Sequence, residues 1–519
     1  MYADELLKNI AIVRKKYVSV VGILYNGKDI RIFKNEKEFN EGSQKLEHKT
    51  YYIRLFTQTK IDKQRIYILT KRINDCLHTQ FGIKNLYHRM IFTACTLVAK
   101  RYGANIMQGM EFSPLKQTIL STLNKSLEES RKQNLKLDLL TEVYAEIKMN
   151  ATTNQDALDE FIKNIIEISK CVNSDYWNGE DVMGIFFNEF NRYKRKSESG
   201  QIFTPDHITS FMYRLIDITP NDTILDAACG SGAFLVKAMC NMIKSSGGIN
   251  TSQAKHIKEA QLYGIEFDRE IFALACANML IHKDGKTNLE QLDSRSSKAC
   301  QWMRSKHITK VMMNPPYERK YGCLKIVENV LDNVPTGAIA AFILPDKKLE
   351  KDNGWRFLKH HTLRMIVKLP EDLFFNVGVT TSIFVFEVGK PQNDKSVICY
   401  YIEEDGLVTV KNQGRQDIKN CWQEREDYWI KAIAEGEDSL YGTKKIIKPA
   451  KDRLSYPVPE KPFEIFEEDF IKTLMNYELF KRGIDAKNFG ESITQKVLYS
   501  SMVSDQGDFV SISIKKERA

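Results

Sequence analysis

Thr223-Ile224-Leu225-Asp226-Ala227-Ala228-Cys229-Gly230-Ser231-Gly232 reads as a short apolar strand ending in an acid, then a glycine-bearing turn; the helical stretch Ala233 to Lys244 follows. Glycines let a backbone approach a ligand closely, and open α/β sheets hold ligands outside the carboxyl ends of their strands. A Gly-x-Gly by itself is common, so its neighbours decide what it holds. A dinucleotide fingerprint would need a third glycine where Leu235 stands, and a P-loop would need Gly-Lys-Ser/Thr; neither is present. The turn suits an adenosyl cofactor, with Gly230 and Gly232 against it. The Asp226 carboxylate is placed to hold the cofactor's methionyl ammonium, a plain N-cap or turn acid being the alternative.

Outward from this turn, strands alternate with helices. Strands are expected at Thr223 to Leu225, Leu262 to Ile265, Val311 to Met313, Ala338 to Leu344, Met365 to Leu369 and Ser382 to Phe386, most of them separated by helical stretches. That alternation predicts an α/β fold, a doubly wound Rossmann-like sheet of parallel strands. The second strand ends at Gly264-Ile265-Glu266, where an acid can accept from both ribose hydroxyls. Asp268 behind it suits the cap of a helix from Arg269 to His282. Asp293 follows a third apolar segment, Asn288 to Leu292, and can accept from the cofactor's adenine amino group or be a plain loop acid.

Val311-Met312-Met313-Asn314-Pro315-Pro316-Tyr317 carries the chemistry. The lone pair of an exocyclic amine on a purine is delocalised into the ring, and the nitrogen must become more tetrahedral to attack a methyl sulfonium. The Asn314 side-chain oxygen and the Pro315 carbonyl can bond its two hydrogens and hold that geometry, which is positioning rather than covalent catalysis. Tyr317 would stack on the base, Pro316 counts with Asn314, Pro315 and Tyr317 as a catalytic candidate, and a base inside a duplex must first be flipped out. A strand-ending turn is the bland alternative. With the glycine turn and the acid-ended strand, the motif points to methyl transfer from S-adenosylmethionine onto an amino nitrogen, adenine N6 in DNA above others.

Composition sets the bounds. At 519 residues the chain is long enough for three or four domains at roughly 150 residues each. A net charge of +9 permits a polyanion partner without requiring one. The 10 cysteines are scattered, none closer than Cys229 and Cys240, so neither a zinc site nor a disulfide framework is indicated. The longest apolar runs are too short to span a bilayer, and a cytoplasmic protein is expected.

The flanks divide at composition shifts. Residues 1–70 are expected to form a small α+β segment, with Val18 to Leu24 and Asp29 to Phe33 flanking the turn signal Asn26-Gly27. Residues 71–195 have helical periodicity, with Ser113-Pro114 as a cap and first-position pair. A second helix carries Leu158, Phe161, Ile162, Ile165, Ile166 and Ile168. A third starts at Asp181 and ends in the basic run Arg192, Lys194, Arg195 and Lys196, a solvated face or a phosphate contact. The sheet domain spans 196–395, and 396–519 is a C-terminal region for recognition or subunit contact.

Motif order gives the chain a family likeness. It resembles the gamma-class DNA adenine-N6 methyltransferases, with Gly200-Gln201-Ile202-Phe203-Thr204-Pro205 as cofactor lid, then the glycine turn, then Asn-Pro-Pro-Tyr. The resemblance implies that Thr204, and less directly Pro205, contact the methionine end of the cofactor. Leu369-Pro370-Glu371-Asp372-Leu373-Phe374-Phe375 resembles the later motif that supplies a second aromatic against the flipped adenine; Phe374 is the choice and Phe375 the reserve, with core packing as the alternative. Over roughly residues 140 to 410 the chain is similar to the modification subunit of type I restriction–modification systems. That implies double-stranded DNA as substrate, with a separate specificity subunit and a restriction subunit as partners. A self-sufficient or orphan type II-like enzyme, an RNA adenine target and a protein glutamine amide stay open. The type I subunits usually carry Phe where Tyr317 stands. The Asn26 hairpin suggests kinship with fused nuclease–methyltransferase enzymes, although no nuclease site is visible.

Overall fold

The computed structural model describes residues 2–14, 20–34, 37–39, 45–49, 52, 63–131, 137–148, 154–172, 182–190, 204–248, 251–282, 288–318, 322–374, 378–410, 414–419, 421–436, 444–451, 453–458, 467–486, 488–491, 501–505 and 510–514. Its contacts divide the chain into two units, Met1–Tyr456 and Pro457–Ala519. The residues Asp181, Arg192 to Lys196, Gly200 to Phe203 and Phe375, singled out above, lie outside the described residues.

In the first unit the helix Tyr2–Arg14 precedes an antiparallel sheet of β1 (Val21–Tyr25), β2 (Ile30–Lys34) and β3 (Lys37–Phe39). Pairing closes at Tyr25 and Ile30, so residues 26–29 make the loop. Of the Asn-Gly pair only Gly27 takes a left-handed φ, 94°. Asn26 acts through its side chain instead, whose oxygen accepts from the N–H groups of Lys28 and Asp29 at 2.9 and 2.6 Å.

The helices Lys63–Thr79, Leu86–Arg101, Phe112–Arg131, Leu137–Glu146, Gln155–Val172 and Val182–Phe190 follow. Gln155–Val172 buries Leu158, Phe161, Ile162, Ile165 and Ile168 on one face, with Ile166 half-buried beside them. Phe112–Arg131 starts ahead of the expected cap, so Ser113 and Pro114 lie within its first turn. Amides there have no helical acceptor, and a proline sacrifices no hydrogen bond. These helices share one core with the main sheet: Ile91, Phe92 and Phe161 belong to the same apolar cluster as Leu235, Phe272 and Met312.

The main sheet is built from β4 (Ile224–Asp226), β5 (Leu262–Glu266), β6 (Asn288–Gln291), β7 (Lys310–Met313), β8 (Ile339–Pro345), β9 (Thr362–Lys368), β10 (Thr381–Glu387) and β11 (Val397–Tyr401). A hairpin, β12 (Val408–Val410) and β13 (Gly414–Gln416), and the helix Trp422–Glu435 come next, and β14 (Lys445–Ile447) adds the outer edge. The nine strands lie in the order β14-β11-β9-β10-β8-β7-β4-β5-β6. Successive residues feed opposite faces: Ile224 and Met312 join the cluster on one side, Leu225, Val311 and Met313 that on the other.

Strand β10 departs from the expected all-parallel arrangement, pairing antiparallel with both β8 and β9. Residues 369–380 join β9 to β10 with no helix among those described, and a parallel return would need a longer crossover. Strands β5, β4, β7 and β8 run parallel, and the chain order reverses between β4 and β7. At such a switch point the strand tips open a crevice on the carboxyl edge.

The second unit holds the helix Glu467–Lys481 and the antiparallel pair β15 (Ser501–Asp505) and β16 (Val510–Ile514). Among the described residues no helix is long and apolar enough to cross a membrane.

Candidate active site at the strand tips

Asp226 closes β4 and is 1% exposed. Burial pushes its carboxyl up to about 8; the Ala228 N–H, donating to Oδ1 at 3.1 Å, pulls the other way, and nearby Glu266 adds to the rise. The glycine turn then folds back, with Gly230 at φ 54° and Gly232 at φ 83°, where Gly232 leads into the helix Ala233–Ser245. A side chain at either position would be strained.

Glu266 closes β5 and fastens this turn. Its Oε2 accepts from Gly230 N at 3.0 Å, and its Oε1 accepts from the N–H groups of Phe267 and Asp268, both at 2.9 Å. Burial raises its carboxyl while these amides oppose the rise. Asp268 caps the helix Arg269–Ile281 as expected, accepting from Glu270 and Ile271 N–H. The close fit of turn to strand explains Gly264: a Cβ there would meet Leu289 Cδ2 at 2.5 Å and Leu235 Cδ1 at 2.8 Å.

Asp293, two residues past β6, grips Arg295 with both oxygens, at 2.9 Å to Nε and 2.7 Å to Nη2. That contact holds its carboxyl below the ordinary range. Ser294 hydroxyl donates to Ala227 carbonyl, so the Asp293 loop is tied to the glycine turn.

Asn314 follows β7, next to β4 in the sheet. Its amide nitrogen donates to Thr204 Oγ1 at 3.0 Å, and its oxygen accepts from the Tyr317 hydroxyl at 2.7 Å. Asn314, Pro316 and Tyr317 are half-buried, and Pro315 is buried. Thr204 and Pro205 immediately precede the helix Asp206–Leu215; Lys237 of the glycine-turn helix pairs with Asp206 at 2.9 Å. The structure thus joins Thr204 to the Asn-Pro-Pro-Tyr turn across 110 positions of sequence. Phe374, 6% exposed, lies in the apolar cluster against which Tyr317 packs.

One residue at this edge escaped the sequence reading. Phe267, next to Glu266, is 58% exposed, an aromatic left open where most are buried. Its place one step past an acid-ended strand was the only signal.

Comparisons with known proteins identify relatives of the chain. The profile of the N-6 DNA Methylase family matches residues 179–337 and 339–439. The type II restriction enzyme and methyltransferase RM.BcgI of Heyndrickxia coagulans is 32% identical over 367 residues, 66% of this chain and 54% of its own length. The type I restriction enzyme EcoEI methylase subunit of Escherichia coli is 23% identical over 219 residues, 38% of this chain and 44% of its own. The chain spans about half the length of the curated relatives it matches. A solved modification subunit, assigned to a type I restriction enzyme of Vibrio vulnificus YJ016, superposes with a TM-score of 0.52 at 16% identity, over 77% of this chain and 98% of that one. At that identity the likeness is one of fold.

Proposed function

The chain belongs to the N-6 DNA Methylase family, and from that premise we propose that it methylates the N6 amino group of adenine in double-stranded DNA, using S-adenosylmethionine. One observation carries the reading: the Asn314 amide is held from both ends, by Thr204 and Tyr317, at the tip of the strand beside the Asp226 turn. An amide so fixed presents its oxygen in one direction, as positioning a planar amine requires.

The residues present fit the cofactor. Asp226 is a buried carboxyl with no cationic side chain among the causes of its shift, which an ammonium would complement. Gly230 and Gly232 keep the backbone bare, Glu266 faces the same turn, and the open ring of Phe267 offers a flat surface to a purine. Asp293 lies on the loop tied to the glycine turn, and its pairing with Arg295 would have to be shared with any adenine amino group. S-adenosylmethionine supplies an electrophilic methyl on a positively charged sulfur. Asn314 Oδ1 and the Pro315 carbonyl accept the two N6 hydrogens, drawing the nitrogen lone pair out of conjugation. Tyr317 and Phe374 flank the base, and Thr204 keeps the amide from turning over.

We place this activity in a restriction–modification system, with target choice shared with a separate specificity subunit and a restriction subunit as a further partner. The similarity to methylase subunits and to a restriction enzyme and methyltransferase supports that placement. The test is transfer of tritiated methyl groups to unmethylated DNA by the chain, alone and with the products of adjacent genes. Label recovered as N6-methyladenine is expected; label in RNA or protein, or none in DNA under either condition, would overturn the reading.

A further inference from the structure

Two segments carry candidate site residues: Pro370 to Phe374, just after β9, and the Thr204-Pro205 step into the helix Asp206–Leu215. Both are tied to one arginine outside the motifs. Arg415, on β13, forks onto Asp405 through Nε at 3.2 Å and through Nη2, and its Nη1 reaches Asp372 and Thr409 Oγ1. Asp405 also faces His207, whose Nε2 lies 3.2 Å from Oδ2. His207 is in the first turn of the helix that Thr204 and Pro205 precede, and Asp372 stands two residues before Phe374. One guanidinium thus links the segment that bears Thr204, through Asp405 and His207, to the segment that bears Phe374, through Asp372.

Stability alone does not account for this layout. Asp405 is fully buried, and a buried carboxylate must be paired; Arg415 and His207 satisfy it, and the Leu407 N–H adds a third bond at 2.9 Å. The arm to Asp372 is different, because that side chain is 58% exposed and such pairs contribute little stability. What it adds is a fixed position for the loop. The planar fork of arginine transmits geometry where a lysine would swivel. The hairpin bearing it is itself held, since Gln416 Nε2 donates to the Tyr67 hydroxyl at 2.7 Å, and His207 is packed edge-on against the Trp422 ring at 4.9 Å.

We propose that Arg415 is a positioning residue for methyl transfer, setting the Phe374 loop against the Thr204 lid so that the base pocket closes to one width. The proposal rests on the methyl-transfer reading above, and its test separates the two.

The full-length chain would be compared with Asp372→Asn and Arg415→Gln by hydrogen exchange and by single-turnover methylation of unmethylated phage DNA. In Asp372→Asn, exchange should quicken about fivefold in residues 369–374 and stay unchanged in 204–210. In Arg415→Gln both segments should quicken, with 223–235 and 262–268 unaffected. S-adenosylmethionine affinity should hold within about twofold while the transfer rate falls about tenfold, a split that general loosening would not produce. Unchanged exchange, an even rise through the sheet, or affinity lost in step with rate would overturn the proposal. If Arg415→Gln does not fold, the surface variant Asp372→Asn decides by the same loop readout. A wild-type chain that methylates no DNA, either alone or with the products of adjacent genes, overturns the methyl-transfer reading, while the exchange pattern still decides whether Arg415 couples the two segments.

Discussion

The Tyr317 hydroxyl donates to the side-chain oxygen of Asn314 at 2.7 Å, the oxygen that an incoming adenine amine would use. An amide oxygen has two lone pairs, so the tyrosine occupies one and leaves the other. Tyr317→Phe removes the competitor but keeps the ring for stacking, and Thr204 still holds the amide nitrogen. Transfer by Tyr317→Phe is therefore expected within about fivefold of wild type, since one neutral hydrogen bond nets only about 1 kcal/mol. Thr204→Val, which frees the amide to turn over, should slow single-turnover transfer about tenfold. The reverse ranking in tritiated-methyl assays would remove Thr204 from the proposed role.

Asn314→Ala takes away the acceptor itself. Methyl transfer should fall at least about a thousandfold, because both positioning and electronic tuning are lost. S-adenosylmethionine affinity by calorimetry should be nearly unchanged, as no contact to the glycine turn is touched. Retained turnover would refute the assignment.

Much of the site could be read in the chain because its parts are strand tips. Asp226, Glu266 and Asn314 each terminate an apolar run, and a residue just past a parallel strand falls on the carboxyl edge whatever the rest of the fold does. The antiparallel β10 was not readable, because the sequence between β9 and β10 carries no tight-turn signature to mark a hairpin. Asp293 looked the same as an unpaired acid, since a partner two residues away leaves no periodic trace. The Asp405 to His207 contact spans 198 residues, a separation at which no local pattern links the two groups.

Glu266→Ala tests the cofactor side. The carboxylate accepts three backbone N–H groups, and removing it orphans amides that hold the turn, at about 1–3 kcal/mol for a buried donor left unpaired. A lower melting temperature and S-adenosylmethionine affinity reduced more than about tenfold are expected together. Unchanged affinity would count against the ribose assignment.

Phe267→Ala separates binding from folding. Its ring is exposed, so thermal stability should move by no more than about 0.5 kcal/mol. If the ring stacks on the cofactor's purine, affinity should drop about fivefold, in line with the worth of an aromatic contact. Melting curves and calorimetry on one preparation give both numbers, and equal affinities would leave the ring without a ligand.

The sharpest pH signature belongs to Asp226. Burial raises its carboxyl to about 8, so at neutral pH most of the free protein carries it protonated. An ammonium bound against it favours the carboxylate, and binding must then expel a proton. Affinity for S-adenosylmethionine should accordingly rise with pH, close to about tenfold per unit well below 8. It should level off near 8 and fall beyond, where the ligand's own α-ammonium, with an ordinary value of about 7.7–8.0, loses its charge. Calorimetry at pH 7 in phosphate and in Tris, buffers that differ in ionisation enthalpy, should report release of nearly one proton per cofactor bound. Asp226→Asn should bind more weakly and lose the rise below pH 8, because no proton remains to be expelled. A flat affinity from pH 6 to 8 in the unsubstituted chain would overturn a protonated carboxyl that ionises to meet the ammonium.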